Sequence, residues 1–164
     1  MKNKILIAAI AVVVLASVAY AAFAQTLQIN GTGTATGDWD VRITGITRTS
    51  GTGVTEATAP AFTTTSATFD TNLEYPGSTA TYSVVIENQG NVAAKLSTIT
   101  DLTTLNAAAP AYITYTVGGV AQNDVLAAGG SATATVTVTW DSGSNGVTGA
   151  NKSAQIDFNY VQNT

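Results

Sequence analysis

The sequence contains no cysteine and no histidine among its 164 residues. Without cysteine it can form neither a disulfide nor a thiolate metal site, and it offers no thiolate nucleophile. Without histidine it lacks the commonest general base and the commonest ligand of transition metals. We therefore predict that the protein is not an enzyme and that it holds no cofactor and no metal ion.

Charge is also scarce, because charged residues make up 10% of the chain, against roughly 25% in an ordinary soluble domain. There are six basic residues against ten acidic ones, and two of the basic residues, Lys2 and Lys4, stand at the start. Beyond residue 24 the balance is four basic against ten acidic residues. An acidic surface of this kind repels phosphate groups, which excludes nucleic acid and anionic lipid as expected partners.

The first 24 residues have the pattern of an export signal. Lys2 and Lys4 precede an uncharged apolar run at residues 5–18, and small residues then form two A-x-A sites that end at Ala21 and Ala24. This order predicts a signal peptide over residues 1–24, with cleavage after Ala21 or Ala24 and a secreted, extracellular or cell-surface protein that is not inserted in a membrane after cleavage. A retained membrane anchor is the alternative, since the apolar run reaches about 20 residues.

Beyond the signal, apolar residues alternate with polar ones at a period of two, and turn residues separate the alternating runs. The clearest run, residues 131–140, places Ala134, Val136 and Val138 on one face and threonines on the other. The predicted strands are residues 38–47, 67–71, 81–88, 93–100, 111–117, 131–140 and 153–161. This pattern predicts an all-β, two-sheet antiparallel sandwich of jelly-roll or Ig-like type over residues 38–164.

Two other segments carry different signals. Residues 49–60 are rich in Gly, Ser, Thr and Ala without alternation, which predicts a surface loop, and residues 103–110 are predicted to hold a short helical turn. Five aromatic residues are interpreted as core residues rather than as a binding platform: Trp39, Tyr82, Trp140, Phe158 and Tyr160.

A short alternating segment, residues 25–30, begins the chain that would remain after cleavage, and it places Leu27 and Ile29 on one face. The following residues 31–37 include Gly31, Gly33 and Gly37 and have no large side chain, which predicts a flexible hinge. A strand on a hinge can complete its own sheet, or it can fill an open sheet edge of a second copy as a donor strand. The second arrangement is a head-to-tail contact that propagates into a filament.

One stretch carries a family resemblance. Residues 73–78, Leu-Glu-Tyr-Pro-Gly-Ser, are followed at residues 82–93 by an alternating strand and an Asn-Gln-Gly-Asn turn. This order resembles the TasA/camelysin group of biofilm-filament proteins, and the low charge and Thr/Ala-rich strands are most similar to the archaeal bundling pilus subunits related to that group. The resemblance implies a filament subunit polymerised by donor-strand complementation, supporting cell adhesion, bundling and the biofilm extracellular matrix.

The expected partners are therefore other copies of the chain, joined head to tail, and neighbouring filaments in a bundle. The alternative is a monomeric Ig-like adhesion module on the cell surface or associated with an S-layer, whose first strand belongs to its own sheet.

Few residues in the chain point to other chemistry. Asp38 and Asp40 form an acidic pair of the type that can bind Ca²⁺, but strand alternation places both carboxylates on a solvated face, and Ca²⁺ needs ~6–8 oxygen ligands. No catalytic, cofactor-binding or metal-binding residue is predicted. Asn30 and Asn151 begin N-x-Ser/Thr sequons and are candidates for N-glycosylation.

Overall fold

The computed structural model describes residue 28, residues 30–144 and residues 149–163. The predicted signal peptide and the two apolar residues of the predicted donor strand, Leu27 and Ile29, lie outside these described residues. Gln28 and Asn30 are described and belong to no strand. A compact unit extends over Thr36–Thr164, so it begins two residues before the predicted start of the sandwich domain.

Nine strands and one short helix form within the described residues. They are β1 (Val41–Thr52), β2 (Val54–Phe62), β3 (Ala67–Leu73), β4 (Thr79–Asn88), β5 (Ala94–Ile99), α1 (Leu102–Ala107), β6 (Ile113–Gly118), β7 (Val125–Leu126), β8 (Ser131–Trp140) and β9 (Phe158–Gln162). The helix confirms the predicted helical turn. It begins at the N-cap Asp101, whose carboxylate accepts a hydrogen bond from the Thr103 amide at 2.9 Å, and this contact lowers the pKa of Asp101.

The central sheet has the strand order β1-β4-β8-β6, and all of its pairs are antiparallel. In the β4–β8 register, Tyr82 lies opposite Val136 and Val84 opposite Ala134. All four side chains are buried on one face, which confirms the predicted alternation of both strands. Because successive side chains of a strand point to opposite faces, the intervening threonines form the other face.

The threonine face is held together by its own hydroxyl groups. Thr79 Oγ1 lies 3.1 Å from Thr139 Oγ1, and Thr81 Oγ1 lies 2.9 Å from Thr137 Oγ1. Each pair is directly opposed in the β4–β8 register. Threonine suits such a face because it is β-branched and its hydroxyl bonds to a cross-strand neighbour or to water.

The apolar face of the central sheet is covered by a three-stranded sheet, β7-β5-β9, and by the hairpin β2-β3. One core cluster gathers Val84, Ile86, Ala94, Leu126 and Ala134, and partly buried Phe158 and Tyr160 pack against it. The other gathers Ala80, Tyr82, Ile113, Tyr115, Val136 and Val138, with Phe69 stacked on Tyr82 at a ring-centroid distance of 4.2 Å. The fold is mostly β with antiparallel sheets, which is compatible with the predicted sandwich.

The prediction of a surface loop at residues 49–60 is wrong. β1 continues to Thr52, the chain turns at Gly53 with a φ of +60°, and β2 occupies most of the remaining residues. Register shifts in the β2–β3 pair at Glu56/Thr58 and Thr58/Ala61 interrupt the alternation of apolar and polar side chains. Because most of β2 is also exposed, its sequence carries no period of two.

Two further predictions need correction. Residues 153–157 are not part of a strand, so the strand predicted at residues 153–161 shortens to β9. Trp39 is not a core residue, because 44% of its surface is exposed. Tyr82 is fully buried as expected. Among the described residues, no helix is long and apolar enough to cross a membrane.

Candidate functional site: an open groove over the core

A groove of about 760 Å³ lies on the apolar face of the central sheet, within the unit Thr36–Thr164. Its floor consists of side chains from β1, β4, β6 and β8, namely Val41, Ile43, Ile46, Val84, Ile86, Tyr115 and Val136. Four of these, Val84, Ile86, Tyr115 and Val136, are core residues of the two clusters described above. The groove therefore opens directly onto the hydrophobic core.

Two walls border this floor. Residues 64–69, at the start of β3, form one wall, and residues 154–160, leading into β9, form the other. β3 is the last strand of its hairpin and β9 is the last strand of the three-stranded sheet. A terminal strand presents a row of unpaired N–H and C=O groups that can pair with another strand. The groove thus lies between two sheet edges, on a floor of apolar side chains.

Most backbone groups at the N-terminal end of the first wall already form hydrogen bonds. The Thr64 carbonyl accepts from the Ile43 amide at 2.8 Å, and the Ser66 carbonyl accepts from the Thr63 amide at 2.7 Å. Thr63 Oγ1 in turn accepts from the amides of Thr65 and Ser66 at 3.3 and 3.0 Å. These bonds close a turn in which most backbone groups already have a partner.

The second wall differs from the first in the hydrogen bonding of its backbone. Within the described part of the chain, the backbone groups of residues 153–156 make no hydrogen bond. Their side chains nevertheless alternate as in a strand: Ser153 and Gln155 are exposed, while Ala154 and Ile156 are half-buried and pack against the core. Asp157 ends the stretch, since its carbonyl accepts from the Thr100 amide at 3.1 Å and its amide donates to Thr100 Oγ1 at 2.8 Å.

Lys152 anchors the other end of this stretch. Its ammonium donates to four backbone carbonyls, those of Asn106, Ala108, Pro110 and Ile113, at distances of 2.8 to 3.2 Å. These carbonyls lie at the end of α1, in the loop that follows it and at the first residue of β6. Partial loss of hydration lowers the pKa of Lys152. The four acceptors still favour the protonated form, because a carbonyl cannot donate a hydrogen bond to a neutral amine.

Tyr115 ties the same anchor to the groove floor. Its hydroxyl donates to the Lys152 carbonyl at 2.7 Å. Its backbone amide donates to the Asn106 side-chain oxygen, and its carbonyl accepts from the Asn106 side-chain amide, both at 2.8 Å. Burial, together with the negative charge of Asp70, raises the pKa of Tyr115. The hydroxyl therefore remains a donor into alkaline conditions. Tyr160, on the second wall, has its pKa raised by burial and by Asp124.

The linker that precedes the compact unit has few contacts. Residues 30–37 are exposed and belong to no strand or helix, and a side chain added at Gly31 or Gly33 would meet no atom within 4 Å. Gly37 lies closer to the fold, because a Cβ there would be 3.5 Å from Val92 Cγ2. The predicted hinge glycines are thus placed in an open stretch, with Gly37 at its edge.

Asn91 fixes the end of that linker. Its side-chain amide donates to the Thr36 carbonyl at 3.0 Å, and its side-chain oxygen accepts from the Asp38 amide at 2.7 Å. The backbone continues the contact, since the Asn91 amide donates to the Asp38 carbonyl at 3.0 Å and the Gln89 amide to the Asp40 carbonyl at 2.7 Å. Gly90 allows this approach, because a Cβ at that position would collide with the Asp38 carbonyl. Residues 36–40 therefore precede β1 along the chain and lie beside the turn after β4.

The remaining predicted features lie apart from the groove floor. Asn30 and Asn151 are both exposed. Asp40 forms an ion pair with Arg42, and the described residues contain no group of three or more acidic side chains that could hold a metal ion. Sequence analysis predicted an open sheet edge but did not place it on particular residues, because local periodicity does not show which distant strands pair. It also did not predict the Lys152 anchor, because all four acceptors are backbone carbonyls that any residue type supplies.

The comparisons with known proteins give no assignment. The chain matches no protein-family model, no curated protein and no solved structure.

Proposed function

We propose that the protein is the structural subunit of a secreted, extracellular filament. In this filament, residues 25–30 of one copy lie as a donor strand in the groove of the next copy. The single observation that carries the proposal is the groove itself, because its floor includes core side chains and its two walls lead into the terminal strands β3 and β9. A sandwich that lacks one strand has this form, and a strand from another copy completes it.

The donor segment has the length and the pattern that the groove requires. The second wall spans residues 154–160, which corresponds to about 20 Å of extended chain at ~3.3 Å per residue, and a donor of six residues has a similar length. Leu27 and Ile29 share one face of that donor, so both would point to the apolar floor. Their full burial would contribute about 3–6 kcal/mol. Main-chain hydrogen bonds would add ~0.5–1.5 kcal/mol each.

The route of the linker favours donation to a neighbour. Asn91 aligns Thr36 and Asp38 with β1, so the chain leaves the compact unit alongside the turn after β4. The exposed stretch before Thr36 contains Gly31 and Gly33, which makes it adaptable but short. Residues 31–35 extend over at most about 18 Å. Consecutive subunits would therefore lie close together, and each contact would be head to tail, as a polymer requires.

The roles of the filament follow from the resemblance given above, namely adhesion between cells, bundling and formation of a matrix. The acidic, weakly charged surface excludes nucleic acid as a partner on electrostatic grounds. Filaments made from this chain would need no enzyme activity and no cofactor, since strand insertion is a binding reaction.

The proposal is tested by negative-stain electron microscopy of the chain that begins at Gln25, beside a chain that lacks residues 25–30. We expect filaments from the first chain and discrete particles from the second, because the second offers no donor. Discrete particles from both chains at high protein concentration would contradict the proposal and favour a monomeric surface module. In that case the chain without residues 25–30 would also be less stable, since it would have lost a strand of its own sheet.

A further inference from the structure

We infer that the incoming strand pairs with residues 153–156, and that Lys152 is the residue that holds this edge in place before binding. This inference rests on the proposed function and adds to it the acceptor edge and a positioning residue. Residues 153–156 have the alternating exposure of a strand but, within the described residues, their backbone groups make no hydrogen bond. An incoming strand that paired with this segment would convert it into a strand of the sheet.

The two walls of the groove differ in what they offer. The turn at residues 63–66 already engages most of its backbone groups through Ile43, the Thr63–Ser66 bond and the Thr63 hydroxyl. Pairing of those groups with a new strand would require existing hydrogen bonds to break. Within the described residues, residues 153–156 have no such bond to break, so main-chain bonds formed there would be a net gain.

The free edge is held at both ends. Asp157 pairs with Thr100 at the end next to β9. At the other end, Lys152 binds four carbonyls through its ammonium, and its own carbonyl accepts from Tyr115 at 2.7 Å. The segment between these anchors is thus kept extended beside the groove floor, where Ala154 and Ile156 touch the core. Preorganisation of this kind raises affinity because less entropy is lost on binding.

Lys152 is suited to this role by its chemistry. Three N–H groups of an ammonium serve several carbonyls at once, and its long stem reaches across from the segment to the end of α1. A methionine at this position would keep a similar length but leave all four carbonyls without this donor. Lys95 provides a matched control, since it lies on β5 opposite Val125 and Val161, whose side chains are exposed.

The acceptor edge is tested by amide hydrogen exchange on the full chain from Gln25. One sample is the assembled protein, and the other is the chain carrying L27D and I29D, which keeps the groove but not an apolar donor. We expect amides within residues 153–156 to exchange at least tenfold more slowly in the assembled sample. We expect the amides of residues 63–66 to be unchanged. Adding a synthetic peptide of residues 25–30 to the L27D/I29D chain should produce the same protection within residues 153–156.

The outcomes separate the inference from the proposed function. Protection that appears along β3 instead of within residues 153–156 would overturn the inference while the filament proposal stands. Filaments that form without any new protection at either wall would overturn both. A chain from Gln25 that never assembles would contradict the proposed function itself, whatever the exchange pattern.

The role of Lys152 is tested by K152M against K95M. We expect K152M to raise the protein concentration needed for assembly by roughly tenfold, because the edge is no longer preorganised. K152M should also speed exchange at residues 153–156 in the unassembled chain, while exchange in β4 and β8 stays unchanged. K95M should leave both measurements unchanged. Equal effects of the two substitutions, or normal assembly of K152M, would show that Lys152 does not position the edge.

Discussion

Filaments of the unsubstituted chain should become shorter when a small amount of the L27D/I29D chain is present during assembly. This variant keeps the groove, so it accepts the donor strand at the end of a growing filament. It offers no apolar strand to the next subunit, because two carboxylates on the inward face are costly to bury. One variant for every ten normal subunits should therefore reduce the mean length to about ten subunits, as head-to-tail growth requires.

The matched control for this experiment is a chain carrying T26D and Q28D. It has the same added charge in the same segment, but on the opposite face of the strand, because side chains alternate. We expect it to assemble and to leave filament length nearly unchanged. The measurement is the distribution of filament lengths in electron micrographs, compared between the two mixtures. Equal shortening by both variants would point to a general charge effect and would contradict insertion of one face of the strand.

The second large effect is expected from Asn88→Ala. Asn88 is 1% exposed. Its side chain donates to the carbonyls of Val92 and Leu126 at 2.8 and 3.2 Å and accepts from the Gly90 amide at 3.2 Å. It therefore joins the turn after β4 to β7. Removing it leaves buried backbone groups without a partner, each of which costs ~1–3 kcal/mol, so we expect a loss of about 3 kcal/mol in the free energy of unfolding.

Asn91→Ala is the control, since Asn91 lies in the same turn but is exposed. Its loss should lower the free energy of unfolding by less than about 1 kcal/mol, because water replaces its hydrogen bonds. Both substitutions are compared by chemical denaturation in the L27D/I29D chain, since assembly would otherwise stabilise the folded state by mass action. Similar losses for the two variants would contradict the role assigned to Asn88.

The sequence predicted best the strands whose two faces have different surroundings. β4 and β8 have a buried face and a hydroxyl-rich face, so Tyr82, Val84, Val136 and Val138 lie on the first and threonine or serine on the second, with Val85 and Glu87 of β4 as exceptions. β2 was missed because most of it is exposed and its register shifts near Glu56 and Thr58 break the period. The side chains of residues 153–157 alternate in exposure, as the sequence predicts for a strand. Within the described residues, however, the backbone groups of residues 153–156 make no hydrogen bond, and the backbone of Asp157 bonds only to Thr100.

The candidate site was predictable only in part. The alternation of Leu27 and Ile29 and the glycines at positions 31 and 33 predicted a strand on a hinge. The position of the groove and of residues 153–156 depends on which strands pair. Local periodicity in the sequence does not predict pairing between distant strands. The hydrogen bonds of Lys152 could not be predicted either, since its acceptors are backbone carbonyls between Asn106 and Ile113, which every residue type supplies.

The most direct test of the account uses the absence of cysteine from the chain. Two single-cysteine chains are prepared from Gln25, one with L27C and the other with A154C or I156C, and they are mixed during assembly under mild oxidation. Facing positions on paired strands satisfy the Cα separation of a disulfide, roughly 4.4–6.8 Å. The account predicts a disulfide-linked dimer of the two different chains for one groove position, and none when the groove cysteine is placed at Val125. A third chain carries L27C together with the same groove cysteine. If the link forms only within this third chain, and never between the two single-cysteine chains, each subunit fills its own groove and the filament account is wrong.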